Sequence, residues 1–226
     1  MDTSILSITL LFVVSYLIGS LNAAKILTNV LKKGPDISTL GTKNAGAWNI
    51  WMNIGKVEGL GVLLFDALKG AAVVFASRSF GFNELAVFGA GITVIAGHNW
   101  PIFFRFQGGK GFATLIGAVL VFSPESVPIA GGTALALILL RLSGLAPFAL
   151  LGLTVFLEYQ KPDLGSIFVL EGFLLALIFA VKKLQAEWSA IKQSQSKPLS
   201  VLSVIFWDRV GKAPSFLSVL RRKNKN

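Results

Sequence analysis

Apolar residues fall in long runs separated by short polar breaks. The runs cover 3–24, 57–77, 83–104, 112–122, 127–140, 144–157 and 165–181. A helix that crosses a bilayer needs roughly 20 mostly apolar residues. The pattern therefore predicts an all-α, polytopic integral membrane protein with about seven transmembrane helices. The run 112–122 reaches only about half-way across at ~1.5 Å per residue. It suits a re-entrant half-helix, and five or six full spans is then the alternative count. The breaks carry residues that stop helices: Gly34-Pro35 and Gly41 after the first run, Ser123-Pro124-Glu125 after the fourth, and Gln160-Lys161-Pro162-Asp163 before the last. The first run begins too close to Met1, with no basic leader, to read as a cleavable signal peptide.

The basic residues orient the spans. With Met1 outside, eighteen of the 21 Lys and Arg residues fall on the inner side. Only Arg78 and Lys161 fall outside, and Lys69 lies within a span. Lys and Arg concentrate in cytoplasmic loops, so the N-terminus is expected outside and the C-terminus in the cytoplasm. Residues 199–210 place Val201, Leu202, Ile205, Phe206 and Trp207 at helical spacing between basic flanks. That segment reads as an interfacial helix on the cytoplasmic leaflet. The chain thus divides into one transmembrane domain, 1–182, and a basic cytoplasmic tail, 183–226.

Composition agrees and narrows the function. Apolar residues make up 54% of the chain and charged residues 14%, against roughly 25% charged in soluble domains. The net charge of +10 would suggest nucleic acid for a soluble protein. For a membrane protein it points to cytoplasmic loops and anionic lipid head groups, and no nucleic-acid partner is expected. There is no cysteine and a single histidine, His98, so neither a disulfide framework nor a metal centre is expected.

Polar residues and glycines cluster. The stretch Gly41-Thr42-Lys43-Asn44-Ala45-Gly46-Ala47-Trp48-Asn49 combines small residues, which allow sharp turns, with side-chain donors. The stretch Gly108-Gly109-Lys110-Gly111 stands directly before an apolar helix. Backbone N–H groups, a helix N-terminus and a lysine there make an anion cradle. It does not match the GxxxxGK[ST] phosphate loop, and no strand precedes it. Both clusters fall on the cytoplasmic side, which suggests a phosphorylated substrate. Asp66 and Lys69, three residues apart, share one face of the second span. A charge at mid-bilayer costs at least ~2.5–3.5 kcal/mol, so the pair is expected to face the bundle interior. Gly97-His98-Asn99-Trp100-Pro101 ends the third span, and Glu171 is a lone acid in the last.

These residues resemble a known family, the bacterial acyl-phosphate:glycerol-3-phosphate acyltransferases (PlsY family). Tyr16–Ser20, then Asp36-Ile37 and Gly41–Asn49, resemble its GS-x-P followed by DIR-x-x-GSGN-x-GATN. Phe65-Asp66-Ala67-Leu68-Lys69-Gly70 resembles D-x-x-KG. Gly97 through Thr114 resembles GH-x-x-P-x-F-x-x-F-x-GGKG-x-AT, the longest and most specific match. The resemblance covers about residues 10–125. It implies a seven-span bundle in a bacterial inner membrane, with its active site at the cytoplasmic face. It also implies transfer of a fatty acyl group from acyl phosphate to glycerol 3-phosphate, giving lysophosphatidic acid.

The chain departs from the pattern in places. Thr42 stands for the GSGN serine and keeps a hydroxyl, Ser38 stands for the DIR arginine, and Met52 stands where a further arginine is expected. Lys182-Lys183 follows the last span where the family has HR-x-N-I-x-RL. Lys43, Lys182 and Lys183 are the candidates to replace the lost charge.

Acyl phosphate is an activated anhydride, so the work is to place the acceptor hydroxyl and neutralise phosphate. Lys110 and Thr42 are assigned the catalytic role. Ser20, Asn44, Asn49, Asp66, Lys69, His98, Gly108, Gly109 and Gly111 are assigned to substrate binding, with no cofactor. The competing reading is a degenerate paralogue that binds a lipid or phosphorylated metabolite as a membrane regulator or partner protein. A small transporter is a third reading, but the two related halves it would show are not found. Reporter fusions after residues 45, 108 and 215 are expected to read cytoplasmic. A periplasmic signal at 108 would overturn both the topology and the shared-face site.

Overall fold

The computed structural model describes residues 4–32, 34–140, 142–160 and 165–193, and every regular element among them is helical. The predicted interfacial segment 199–210 and the side chain of Glu171 lie outside the described residues.

Helix α1 (Ile5–Ser20) starts where the Ser4 hydroxyl accepts a hydrogen bond from the Ser7 N–H. Its sides invert the soluble pattern. Ser15, Gly19 and Ser20 are buried, while Ile5, Leu6, Leu10, Val13 and Val14 are exposed. Small residues inward and large apolar residues outward is what lipid selects, because lipid solvates Leu and Val as well as a core does. The chain then bends by 42° into α2 (Ala23–Lys25) and a π-turn over Ile26–Val30. A polar loop leads to α3 (Ala47–Asn53).

Helix α4 (Lys56–Ser79) has 24 residues, about 36 Å at 1.5 Å per residue. Helix α5 (Glu84–Asn99) begins at Asn83, whose side chain accepts the Ala86 N–H, and a 3-10 turn continues it to Phe104. Both stretches are long and apolar enough to cross a membrane. Helix α6 (Phe112–Phe122) meets a second arm, Pro124–Leu139, at 114°. That arm ends in α7 (Gly132–Leu139). The runs expected at 112–122 and 127–140 are thus two arms of one sharply bent pair. Helix α8 (Ala146–Tyr159) has 14 residues. Helix α9 (Gly165–Gln193) has 29 and continues past the apolar run through Lys182 and Lys183. Among the described residues, two helices are span-like, or up to four if each bent pair counts as one.

Glycines draw the helices together. A Cβ on Gly117 of α6 would stand 1.8 Å from the Ala67 carbonyl oxygen of α4, and one on Gly70 of α4 would stand 2.1 Å from the Thr114 oxygen of α6. The α1–α5 pair has the same device: Gly19 faces the Val94 oxygen and Gly97 the Tyr16 oxygen, at 2.1 and 2.2 Å. Backbone-to-backbone contact of this kind admits only glycine. The main core lies among α4, α5, α6, α8 and α9, with Val87, Val94, Ile95 and Leu115 fully buried. A smaller core of Ala24, Ile37, Ala45, Ile50 and Val62 anchors the polar loop before α3.

Gly117→Ala is expected to destabilise the protein by about 1–3 kcal/mol through overpacking. Gly61→Ala, where nothing lies within 4 Å, should be neutral or slightly stabilising. Thermal unfolding in detergent distinguishes the two.

Candidate functional site

The loop over residues 34–46 is shaped by one amide. Asn49 is buried, and its Nδ2 donates to the carbonyl oxygens of Ile37, Leu40 and Asn44 at 3.0–3.2 Å. Its Oδ1 accepts the Thr42 N–H at 3.2 Å. Asn22 donates to the Ala45 oxygen at 3.1 Å. Gly41 and Lys43 both take positive φ, +50° and +57°, so the chain reverses tightly there. At the start of the loop, Lys25 pairs with Asp36 at 3.0 Å and also donates to the Ser38 hydroxyl. Partial burial pushes the Asp36 carboxyl up, but the Ser38 N–H and the Lys25 ammonium outweigh it and hold it below its ordinary value. The ion pair therefore stabilises the loop at neutral pH and is lost only as pH falls through that lowered value.

The second loop, 100–111, folds back on the end of α5. Arg105 and Phe106 are consecutive non-glycine residues at positive φ, +52° and +61°, a strained pair of the kind found at functional sites. The Gly109 N–H donates to the His98 carbonyl at 3.2 Å. A Cβ on Gly108 would stand 2.0 Å from that same oxygen, and one on Gly109 would stand 2.1 Å from His98 Nε2 and 2.7 Å from the Ala45 oxygen. The two loops are thus in contact. Gly111, at φ +80°, precedes α6 without a side-chain cap, which leaves the helix N-terminal N–H groups for an anion.

Between the loops lies a cleft of about 270 Å³ lined by Ser38, Thr42, Lys43, Asn44, Gln107, Gly108 and, from α9, Lys182 and Gln185. Of the predicted site residues, Thr42, Asn44 and Gly108 line it. Gly109, Lys110 and Gly111 belong to the same loop, with Lys110 half-buried.

The other predicted residues are buried beneath the loops. Lys69 Nζ stands 2.8 Å from Asp66 Oδ1. It donates to the carbonyl oxygens of Gly19 and Leu21 at 3.0 and 3.1 Å and lies 3.0 Å from His98 Nδ1. Ser20 donates to the Tyr16 oxygen and accepts the Ile102 N–H, at 2.9 and 3.4 Å. Ser20, Asn49, Asp66, Lys69 and His98 therefore direct their polar atoms at protein groups, because the helix ends and loops above them need partners. No group of three or more His, Cys, Asp or Glu that could hold a metal occurs among the described residues.

A family model described as "Glycerol-3-phosphate acyltransferase" matches residues 9–193, which contain both loops and the described cleft wall of α9. The chain belongs to the glycerol-3-phosphate acyltransferase family. It is 34% identical over 205 residues to "Glycerol-3-phosphate acyltransferase 5" of Dehalococcoides mccartyi, covering 87% of this chain and 86% of that one. It is 41% identical over 116 residues to "Glycerol-3-phosphate acyltransferase" of Desulforamulus reducens, 51% of this chain and 58% of the relative. It superimposes with a TM-score of 0.70 on the glycerol 3-phosphate form of PlsY, an integral membrane glycerol 3-phosphate acyltransferase. That match has 27% identity and covers 87% of this chain and 98% of the other.

Within this acyltransferase fold, sequence reasoning missed Ser38, Gln107 and Gln185 as cleft residues and Lys25 as the partner of Asp36. Gln107 adjoins the second glycine run and Ser38 stands at a motif position, but neither was given a role in the cleft, and Gln185 arrives from α9. Lys69→Met should leave Asp66 buried without its cation and cost about 3–5 kcal/mol. Asp66→Leu/Lys69→Met should recover only part of that loss, because the Gly19 and Leu21 carbonyls stay without their donor, as read by a double-mutant cycle of unfolding midpoints.

Proposed function

We propose that the chain acylates glycerol 3-phosphate at the membrane, with acyl phosphate as donor, and so forms lysophosphatidic acid for phospholipid synthesis. The observation that carries this reading is the contact of the 41–46 and 108–111 loops around one cleft. The acceptor hydroxyl attacks the acyl carbonyl carbon, and the bond from that carbon to the phosphate oxygen breaks. Phosphate leaves with the electron pair and accepts the hydroxyl proton. No strong general base is needed, since the leaving group is good and supplies its own acceptor oxygens. What the protein provides is placement and charge. Lys110 and the 108–111 amides other than that of Gly109, which the His98 carbonyl takes, hold phosphate, and Thr42 and Asn44 orient substrate oxygens. Asp66, Lys69 and His98 fix the floor on which the second loop rests.

The site belongs, in this reading, to the cytoplasmic face of a bacterial inner membrane, with Met1 outside and a basic tail against anionic head groups. The support is geometric: Lys25, Lys43, Lys110 and Lys182 gather with the two loops, while Arg78 pairs with Glu84 at the other end of α4. Met52 is exposed and does not itself line the cleft.

Lys110→Ala is expected to lower kcat/KM by about 10–100-fold, the loss of one charge-assisted hydrogen bond or somewhat more. Lys32→Ala should change it little. Thr42→Ser should be tolerated and Thr42→Val should not. Wild-type protein that releases no phosphate from acyl phosphate with glycerol 3-phosphate present, where a relative with the full motifs does, would decide for a non-catalytic paralogue.

A further inference from the structure

Helix α3 has two unlike faces. One is buried: Asn49 and Ile50 are at most 2% exposed, and the Asn49 amide holds the polar loop before the helix. The other carries Trp48, Trp51 and Met52, spaced i, i+3 and i+4 on one side. All three are exposed, Trp48 and Met52 by 58% and 60%. Among the described residues, neither indole N–H of this face has a protein acceptor. Large apolar side chains clustered on a surface mark a place of contact. Trp48 and Met52 also stand where the related motif has a threonine and an arginine, so this apolar face belongs to the present chain.

The neighbourhood says what covers it. Helix α3 packs on the first turns of α4. A Cβ on Gly59 would stand 2.6–2.9 Å from Trp51 Cβ and backbone atoms, and Ile50 shares the small core with Val62. Helix α4 is long and apolar enough to cross a membrane. Its length of about 36 Å exceeds the ~30 Å hydrocarbon layer. Its charged first turn, with Lys56 and Glu58, therefore stands at head-group level. Leu60, Leu64 and Leu68 are exposed at i, i+4 and i+8 along α4, a stripe that lipid solvates, and α3 adjoins the end of that stripe. Tryptophan has an apolar body and one N–H donor, which suits the level where acyl chains meet polar head groups. A soluble partner would have to bind where the bilayer already reaches.

We propose that the outer face of α3 is seated in the head-group boundary of the bilayer, and that this seat fixes the 41–46 loop through Asn49 on the opposite face. The lipid surface is then a structural partner of the loop. It holds Trp48, Trp51 and Met52, and the helix passes the constraint to the three carbonyls and the Thr42 N–H that Asn49 engages. The inference rests on the chain being an integral membrane protein. It depends neither on acyl transfer nor on which leaflet holds the site.

The chain contains no cysteine, so single nitroxide labels can be attached without removing any. Full-length protein carrying Trp48→Cys, Met52→Cys, Leu68→Cys or Lys43→Cys is labelled and reconstituted in vesicles of equal parts phosphatidylethanolamine and phosphatidylglycerol. Relaxation of each label by oxygen is compared with relaxation by a water-soluble nickel chelate. Leu68 gives the hydrocarbon level, and Lys43, exposed on the polar loop, gives the aqueous one. The oxygen-to-nickel ratio at 48 and 52 should lie between those two and well above that at 43. A ratio equal to that at 43 overturns the proposal and leaves a face for a soluble partner. Labels shielded from both reagents overturn it in favour of contact between copies of the chain.

A second measurement reads the coupling. Trp48→Gln/Met52→Gln should raise the mobility of the label at 43 in vesicles. Trp48→Phe/Met52→Leu, which keeps the face apolar, should not. Both pairs should keep the detergent Tm of wild type, because the side chains are exposed, so the rise in mobility reports lost seating and not unfolding. Unchanged mobility in the glutamine pair overturns the proposal. A protein that shows these depths and mobilities but transfers no acyl group leaves the inference standing and removes the acyltransferase reading. One that transfers acyl groups with 48 and 52 in water does the reverse.

Discussion

The ammonium of Lys69, buried where α1, α4 and α5 meet, is the contact on which the site depends. It is satisfied by Asp66 of its own helix, by the Gly19 and Leu21 carbonyls at the end of α1, and by His98 of α5. The last carbonyls of a helix lack intrahelical donors and carry the negative end of its dipole. A cation placed there therefore serves α1 and Asp66 together, and the helices cannot slide without breaking both. His98 passes this constraint upward, since its carbonyl holds the Gly109 N–H and its ring leaves no room for a side chain at Gly109.

Such a hub requires helices that approach closely. Gly70 and Gly117 bring α4 onto α6, and Gly19 and Gly97 bring α1 onto α5. The first contact sets the start of α6, and so the open N–H groups after Gly111, beside the hub. The second sets the end of α1 over Lys69. Glycines spaced along apolar helices thus fix the position of a polar site, and one of them, Gly19, also lends its carbonyl to Lys69.

Much of this was legible in the sequence, and the failures have a common cause. Spacing alone paired Asp66 with Lys69, because three residues share a helix face and a charge in lipid needs a partner. The glycine and lysine runs located both loops. What could not be read was the direction of each donor. Asn49 looks like a substrate ligand by its neighbours, yet its amide turns inward because three loop carbonyls would otherwise be unsatisfied. Ser123-Pro124 announces a break in the chain but not the 114° between its arms, which is set by packing against α8. The contacts of α9 with the cleft join residues more than 80 positions apart, beyond any local pattern.

The position of Ser38 shows how charge has been redistributed across the cleft. The related motif carries an arginine there; this chain has a hydroxyl that receives the Lys25 ammonium from below, already paired with Asp36. A cation is kept near the loop, but it is neutralised and faces the small core rather than the cleft. Its contribution is to hold the turn at residues 36–40, which an exposed arginine would not do. Positive charge toward a phosphate must then come from elsewhere on the cleft wall. Lys43 at its left-handed turn and Lys182 on α9 line that wall, and Lys110 stands in the adjoining loop. Lysine gives a point charge without the planar fork of arginine, so under the proposed function phosphate is recognised by charge and by backbone N–H geometry. Recognition then depends on the loop amides being held rigidly, which is what Asn49 and His98 do.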